Sequence, residues 1–169
     1  KTLDQQPGYG PALALLGRLL YRDGRTEEAI AVLAGSNTNS NHEAQRRVVL
    51  AKIHLERGDT EEAIKEAQIA TQVEPSADTY AALAEVFLAT GQIDKAAMAA
   101  NSALQKEPNT STAHLAMGRV LRVQGRYKEA LRHTEKAMEA NTFSVDALAL
   151  SGQIHGELGD FHEARERWK

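Results

Sequence analysis

Five glycines, Gly24, Gly58, Gly91, Gly125 and Gly159, stand 34, 33, 34 and 34 residues apart, each followed by a polar residue and a helix start. Five residues after each comes an alanine: Ala29, Ala63, Ala96, Ala130 and Ala164. Seven residues before each is another small residue: Gly17, Ala51, Ala84, Gly118 and Gly152. Three registers locked over five periods define a repeat array, and each repeat buries its apolar surface only by stacking on its neighbours. The chain therefore cannot be read as one compact domain of 169 residues.

Within a repeat the apolar period is helical. Tyr80, Leu83, Ala84, Phe87 and Leu88 form one stripe over residues 77–90, closed by Gly91. Ile93, Ala96, Ala97, Ala100, Ala103 and Leu104 form a second, which ends before Glu107-Pro108 because proline drives its predecessor out of the α region. Each repeat is thus two antiparallel helices. Asp59-Thr60-Glu61-Glu62 is expected to start a second helix with a capping aspartate three residues before a glutamate, and an N-cap is expected near Ser111. Composition agrees: alanine is the commonest residue, with 28 copies, and aromatics make up only 5%. Small side chains suit helices in close contact better than sheets.

The period resembles the tetratricopeptide repeat, which carries a small residue at position 8, Gly at 15, Ala at 20 and 27, and Pro at 32. With Gly24 as position 15, the repeats run 10–43, 44–76, 77–110, 111–144 and 145–169, the last truncated in its second helix. Residues 1–9 fit the tail of a preceding repeat, with Pro7 on position 32. Position 27 reads Ser36, Ala70, Ala103 and Ala137, and position 32 reads Asn41, Pro75, Pro108 and Thr142. Position 24, usually large in the family, reads Leu33, Ala67, Ala100, Thr134 and Trp168. The resemblance implies an all-α fold, an α-solenoid in which antiparallel helix pairs wind as a right-handed superhelix. Because the chain begins and ends at the same phase, it is expected to be a segment of a longer array.

One stretch departs from the pattern. Gly35-Ser36-Asn37-Thr38-Asn39-Ser40-Asn41-His42 favours turns and caps over helix interiors. It implies a second helix about two turns shorter than its siblings, followed by a surface loop, with a hinge or binding loop as the functional alternative.

Chemistry is sparse. With no cysteine, disulfides, thiolate metal sites and cysteine nucleophiles are excluded. Of the six histidines, His54 and His155 share position 11 and His114 sits at position 4, all framework positions. His155 and His162 span a turn with too few convergent groups for a metal, and no HExxH, nucleophile elbow or phosphate loop occurs. No catalytic, cofactor-binding or metal-ligating residue is expected. Tyr80, Phe87, Tyr127, Phe161 and Trp168 fall where the family keeps core residues; Tyr9, Tyr21 and Phe143 do not. The net charge is −3, and residues 53–110 carry 4 basic against 10 acidic side chains, which opposes a nucleic-acid track. No apolar run reaches the roughly 18–20 residues needed to span a bilayer, and the composition suits cytoplasm or periplasm alike.

What remains is the wall of first helices, where members of the family commonly bind peptides through positions 2, 5, 9, 12 and 13. Those positions nominate Arg18, Tyr21, Arg22, Val48, Lys52, Leu55, Ala81, Glu85, Leu88, Leu115, Arg119 and Arg122 as a partner-binding groove with an apolar middle and basic flanks. Position 5 is wholly apolar (Ala14, Val48, Ala81, Leu115, Ala149) and position 9 has no asparagine, so the two-carboxylate clamp of chaperone-binding members is not supported. The expected occupant is an amphipathic segment with an apolar face and acidic residues. The expected function is a non-catalytic protein-interaction scaffold. Alternatives are a substrate-selecting region of a larger enzyme, or an array that self-associates through open repeat ends, as in bacterial secretion or polysaccharide-export systems.

Overall fold

The computed structural model describes residues 10–35 and 40–160. Expectations placed on 1–9, on Ser36 and Asn37–Asn39, and on Phe161, His162, Ala164 and Trp168 lie outside the described residues. The described residues form nine helices and no strand: α1 (Gly10–Arg22), α2 (Thr26–Ala34), α3 (Ser40–Arg57), α4 (Thr60–Val73), α5 (Ala77–Ala89), α6 (Ile93–Lys106), α7 (Ser111–Val123), α8 (Tyr127–Ala140) and α9 (Val145–Glu157). They fall into two blocks, residues 1–75 and 76–169. In the first, α1 packs on α2, α3 on α4, and α3 also on α1 and α2. In the second, α5 packs on α6, α7 on α8, and α7 also on α5, α6 and α9, the last of which also meets α8. The fold is an all-α tetratricopeptide-type solenoid of helix pairs.

The five repeat glycines all adopt the left-handed region, with φ between 73° and 86°. Each turn closes the same way. The amide of Gly91 donates to Leu88 O at 3.1 Å and that of Gln92 to Phe87 O at 2.8 Å, with equivalents at Gly24, Gly58, Gly125 and Gly159. These two bonds satisfy carbonyls that a helix end leaves open, and a left-handed residue is what lets the chain reach back for them.

The helices that follow start without a side-chain cap. Asp59 does occupy the N-cap of α4, but its side chain makes no cap hydrogen bond. Its ψ of 68° lies outside the extended region from which a capping side chain reaches the next amides. The carboxylate turns to Arg57 Nε at 3.0 Å and His54 Nδ1 at 3.4 Å instead. First helices behave differently, since Ser76, Thr110 and Ser144 are extended and each accepts from the amide three residues on. The α7 cap is therefore Thr110, next to Ser111, where an N-cap is expected.

Small residues sit where helices cross. Ala29, Ala63, Ala96 and Ala130, and with them Ala70, Ala103 and Ala137, are wholly buried. A Cβ on Gly17 would lie 2.5 Å from Leu33 Cγ, and one on Gly118 would lie 3.1 Å from Leu150 Cδ2 and 3.4 Å from Thr134 Oγ1. Leu33 and Thr134 both occupy position 24, whereas the repeats with alanine at position 8 (Ala51, Ala84) carry alanine there (Ala67, Ala100). The two positions thus share a nearly fixed volume: glycine opposite a larger side chain, alanine opposite alanine.

The second helix of the first repeat has 9 residues against 14 in α4, α6 and α8. It is short, as the turn-forming stretch implies, but α3 begins at Ser40, so Ser40, Asn41 and His42 are helical rather than part of a loop. Near its end, the Leu33 carbonyl accepts from Nη1 of the buried Arg46 at 3.0 Å. A guanidinium from α3 thereby takes up an orphan carbonyl that another turn of α2 would have used.

Candidate functional site

First helices present their wall residues to one another at a spacing of one repeat. In the second block, Glu85 on α5 pairs with Arg119 on α7, and Arg119 Nη2 lies 3.6 Å from Asp146 Oδ1 on α9. One step along, Arg122 Nη1 lies 2.8 Å from Glu157 Oε1. In the first block, Tyr21 on α1 is hydrogen-bonded to Glu56 on α3, and that carboxylate holds the tyrosine hydroxyl above its ordinary range. Tyr21–Glu56 and Arg122–Glu157 both join position 12 of one first helix to position 13 of the next. Each block thus carries polar rungs between its own first helices.

Every nominated groove residue lies on a first helix. In the first block, Arg18, Arg22 and Lys52 are exposed, and Tyr21, Val48 and Leu55 are half-buried. In the second, Glu85, Leu88, Arg119 and Arg122 are half-buried, while Ala81 and Leu115 are buried among the core residues. Glu85 and Arg119, both nominated, are brought into direct contact. Glu56, Asp146 and Glu157 join the rungs without having been nominated. Arg122–Glu157 and Tyr21–Glu56 are 35 residues apart, so a donor–carboxylate search at the repeat spacing finds Glu157 and Glu56, whereas Asp146, at position 2 and 27 residues from Arg119, escapes it. The basic flank expected from Arg119 and Arg122 is consequently an alternation of charge, since each arginine already faces a carboxylate.

Away from this face, His114 on α7 and His133 on α8 meet through their Nδ1 atoms at 3.0 Å. His114 is buried, as its framework position implies. Burial pushes both imidazoles below the ordinary histidine range. A cleft of about 500 Å³ opens beside His114 and one of about 370 Å³ beside His133. At position 11, His54 and His155 each face an aspartate five residues on, Asp59 at 3.4 Å and Asp160 at 3.9 Å. Among the described residues no group of three or more His, Asp or Glu could hold a metal ion, and no helix is long and apolar enough to cross a membrane.

The chain superposes on TTC0263, a thermophilic TPR protein of Thermus thermophilus, with a TM-score of 0.79 and 18% identity, over 94% of this chain and 88% of that one. It is similar to PilF of Pseudomonas aeruginosa, with a TM-score of 0.71 and 17% identity over 94% of this chain and 73% of that one. A third similar structure is YrrB, described as a TPR protein with an unusual peptide-binding site, with a TM-score of 0.55 and 18% identity over 92% and 80% of the two chains. These likenesses concern the fold. No curated protein matches the chain by sequence. One tetratricopeptide repeat model matches residues 48–114, 81–145 and 115–169, and another matches 12–35. The chain belongs to the tetratricopeptide repeat family.

Proposed function

We propose that the protein is a non-catalytic scaffold whose first-helix face receives an amphipathic peptide or helix of a protein partner. The observation that supports this reading is the set of rungs within each block. Half-buried Glu85, Arg119 and Arg122 alternate in charge with exposed Asp146 and Glu157 beside half-buried Leu88, and in the first block half-buried Val48 and Leu55 share the face with exposed Arg18, Arg22 and Lys52. Such a face offers apolar contact together with guanidinium groups suited to carboxylates. Binding through Arg119 or Arg122 requires the partner's acids to compete with Glu85, Asp146 and Glu157, so selectivity arises from displacement as well as attraction. YrrB shows that peptide binding occurs on a related fold. The test is pull-down with the wild type and with Leu88→Asp/Arg119→Glu/Arg122→Glu, checked for retained helicity by circular dichroism. Loss of the captured partner is expected; equal capture by the folded variant overturns the proposal.

Self-association is a second reading, favoured by one observation. Leu15, Leu16 and Leu19 of α1 are 50%, 38% and 51% exposed on one short stretch of helix. Contiguous exposed apolar surface marks an interaction site more often than scattered single residues do. Light scattering over a concentration series decides it: mass that rises with concentration in the wild type and not in Leu15→Glu/Leu19→Glu supports the reading, and a constant monomer mass removes it.

A further inference from the structure

We propose that His114 and His133 form a proton-operated latch between α7 and α8, closed by one shared hydrogen and opened when both facing nitrogens are protonated. The two Nδ1 atoms are 3.0 Å apart, an ordinary hydrogen-bond length, while the ring centroids are 5.2 Å apart with the planes tilted by 53°. Rings that far apart with their nitrogens that close meet edge to edge, each Nδ1 aimed at the other. Only one of the two can carry a hydrogen in such a contact. Among the described residues no third His, Asp or Glu joins the two imidazoles to complete a metal site.

The surroundings assign the hydrogen. The Pro108 carbonyl, from the α6–α7 connection, is within hydrogen-bonding reach of His114 and favours its protonation. With Nδ1 turned toward His133, the nitrogen left to donate to that carbonyl is Nε2. His114 is then the Nε2–H tautomer, and its Nδ1 accepts from His133 Nδ1–H. A first added proton goes to His133 Nε2 and leaves the N–H···N bond in place. A second has only His114 Nδ1 to occupy, and there two N–H groups on two cations point at each other.

The neighbouring charges come mainly from α8. Lys136 opposes protonation of both rings, while Glu139 favours it at His114 and Glu129 at His133. Glu129 is itself hydrogen-bonded to Arg126 at the start of α8, which leaves less of its charge for the imidazole. Around the cleft beside His133, α6 contributes Ala97, Asn101 and Leu104, none of them titratable, and half-buried Tyr80 of α5 packs with Leu104 against Ala77, Ala103 and Ala113. From α9 the neighbour of this part of α7 is Leu150, against Gly118. Glu139 and Glu129 offset a second positive charge only in part, since burial and Lys136 weigh more at both rings.

The direction of the pH effect follows from proton counts. In the unfolded chain both histidines bind protons below about pH 6.5. In the folded chain they bind fewer, so the stability the latch contributes is full above that value and is lost as pH falls through the lowered folded range. The disfavoured second step belongs to the pair and not to either residue.

Histidine ring NMR between pH 8 and 5 tests the assignment directly. Expected are an Nε2–H His114 at high pH and two well-separated protonation steps, the second below the ordinary histidine range. His133→Asn supplies an amide N–H near the Nδ1–H without a titrating group. Its unfolding constant should change with pH up to about tenfold less per pH unit than that of the wild type, one proton fewer being linked. Amide exchange in α7 and α8, corrected for its intrinsic pH dependence, should quicken about tenfold in the wild type between pH 7 and 5.5, with α5 unchanged. Independent titration of both rings at the ordinary value overturns the latch, as does a His133→Asn stability profile that superimposes on the wild type.

Discussion

At the scale of single residues, two kinds of small side chain do different work. The turn glycines are fixed by backbone conformation alone: a Cβ at Gly91 would meet nothing within 4 Å, yet its φ is +73°. Gly91→Ala is therefore expected to lower stability by about 1–2 kcal/mol, the cost of a left-handed residue bearing a Cβ, read from the urea midpoint at unchanged slope. Gly17 has the opposite problem, since its space is filled by Leu33. Gly17→Ala should cost about 1–3 kcal/mol by overpacking, and Leu33→Ala about 2–5 kcal/mol by leaving a cavity. The double variant should cost less than the sum, because the added methyl enters the vacated space; strict additivity in the double-mutant cycle would refute a shared volume. The regular spacing of the turn glycines is legible in the sequence because backbone constraint tolerates few residue types. The trade between positions 8 and 24 is less legible, because it is a relation between two residues and shows only when their contact is known.

At the scale of helices, caps and cross-helix contacts explain where the pattern and the structure part. The apolar period places α5 and α6 correctly, since burial of one stripe decides their extent. It misses the early start of α3, because Ser40, Asn41 and His42 are poor helix formers. The Asp59 cap fails for a local reason, a turn geometry that points its carboxylate toward Arg57 and His54. Arg46 was invisible to periodicity because a buried arginine reads as a polar interruption. Its removal should expose its role: Arg46→Leu leaves the Leu33 carbonyl buried without that donor and is expected to cost about 1–3 kcal/mol. Hydrogen exchange should place the loss in α2 and the start of α3, and uniform loss across the first block would contradict a capping role.

At the scale of the whole molecule, the two blocks use one scheme with different chemistry. Tyr21–Glu56 and Arg122–Glu157 occupy the same register, one neutral donor and one cationic. Repeat identity was readable from the 34-residue period, because it follows from which face each helix buries. Which wall charges are already matched was not, since it depends on side chains from separate repeats meeting. If Arg119 is to receive a partner's carboxylate, its own acids are competitors. Glu85→Gln/Asp146→Asn should then raise affinity for an acidic amphipathic peptide up to about tenfold, about 1.4 kcal/mol, measured by fluorescence anisotropy at two salt concentrations; weaker binding would show that the acids contact the partner themselves. The shared volume of positions 8 and 24 also bears on how such a chain can be rebuilt. Because Gly17 is matched to Leu33 and Gly118 to Thr134 inside their own helix pairs, a hairpin transplanted between repeats keeps this match, although Gly118 also meets Leu150 of the following repeat, which must suit the new neighbour. A single helix moved alone would arrive with the wrong partner, so the hairpin, rather than the helix, is the smallest part that can be exchanged in this protein.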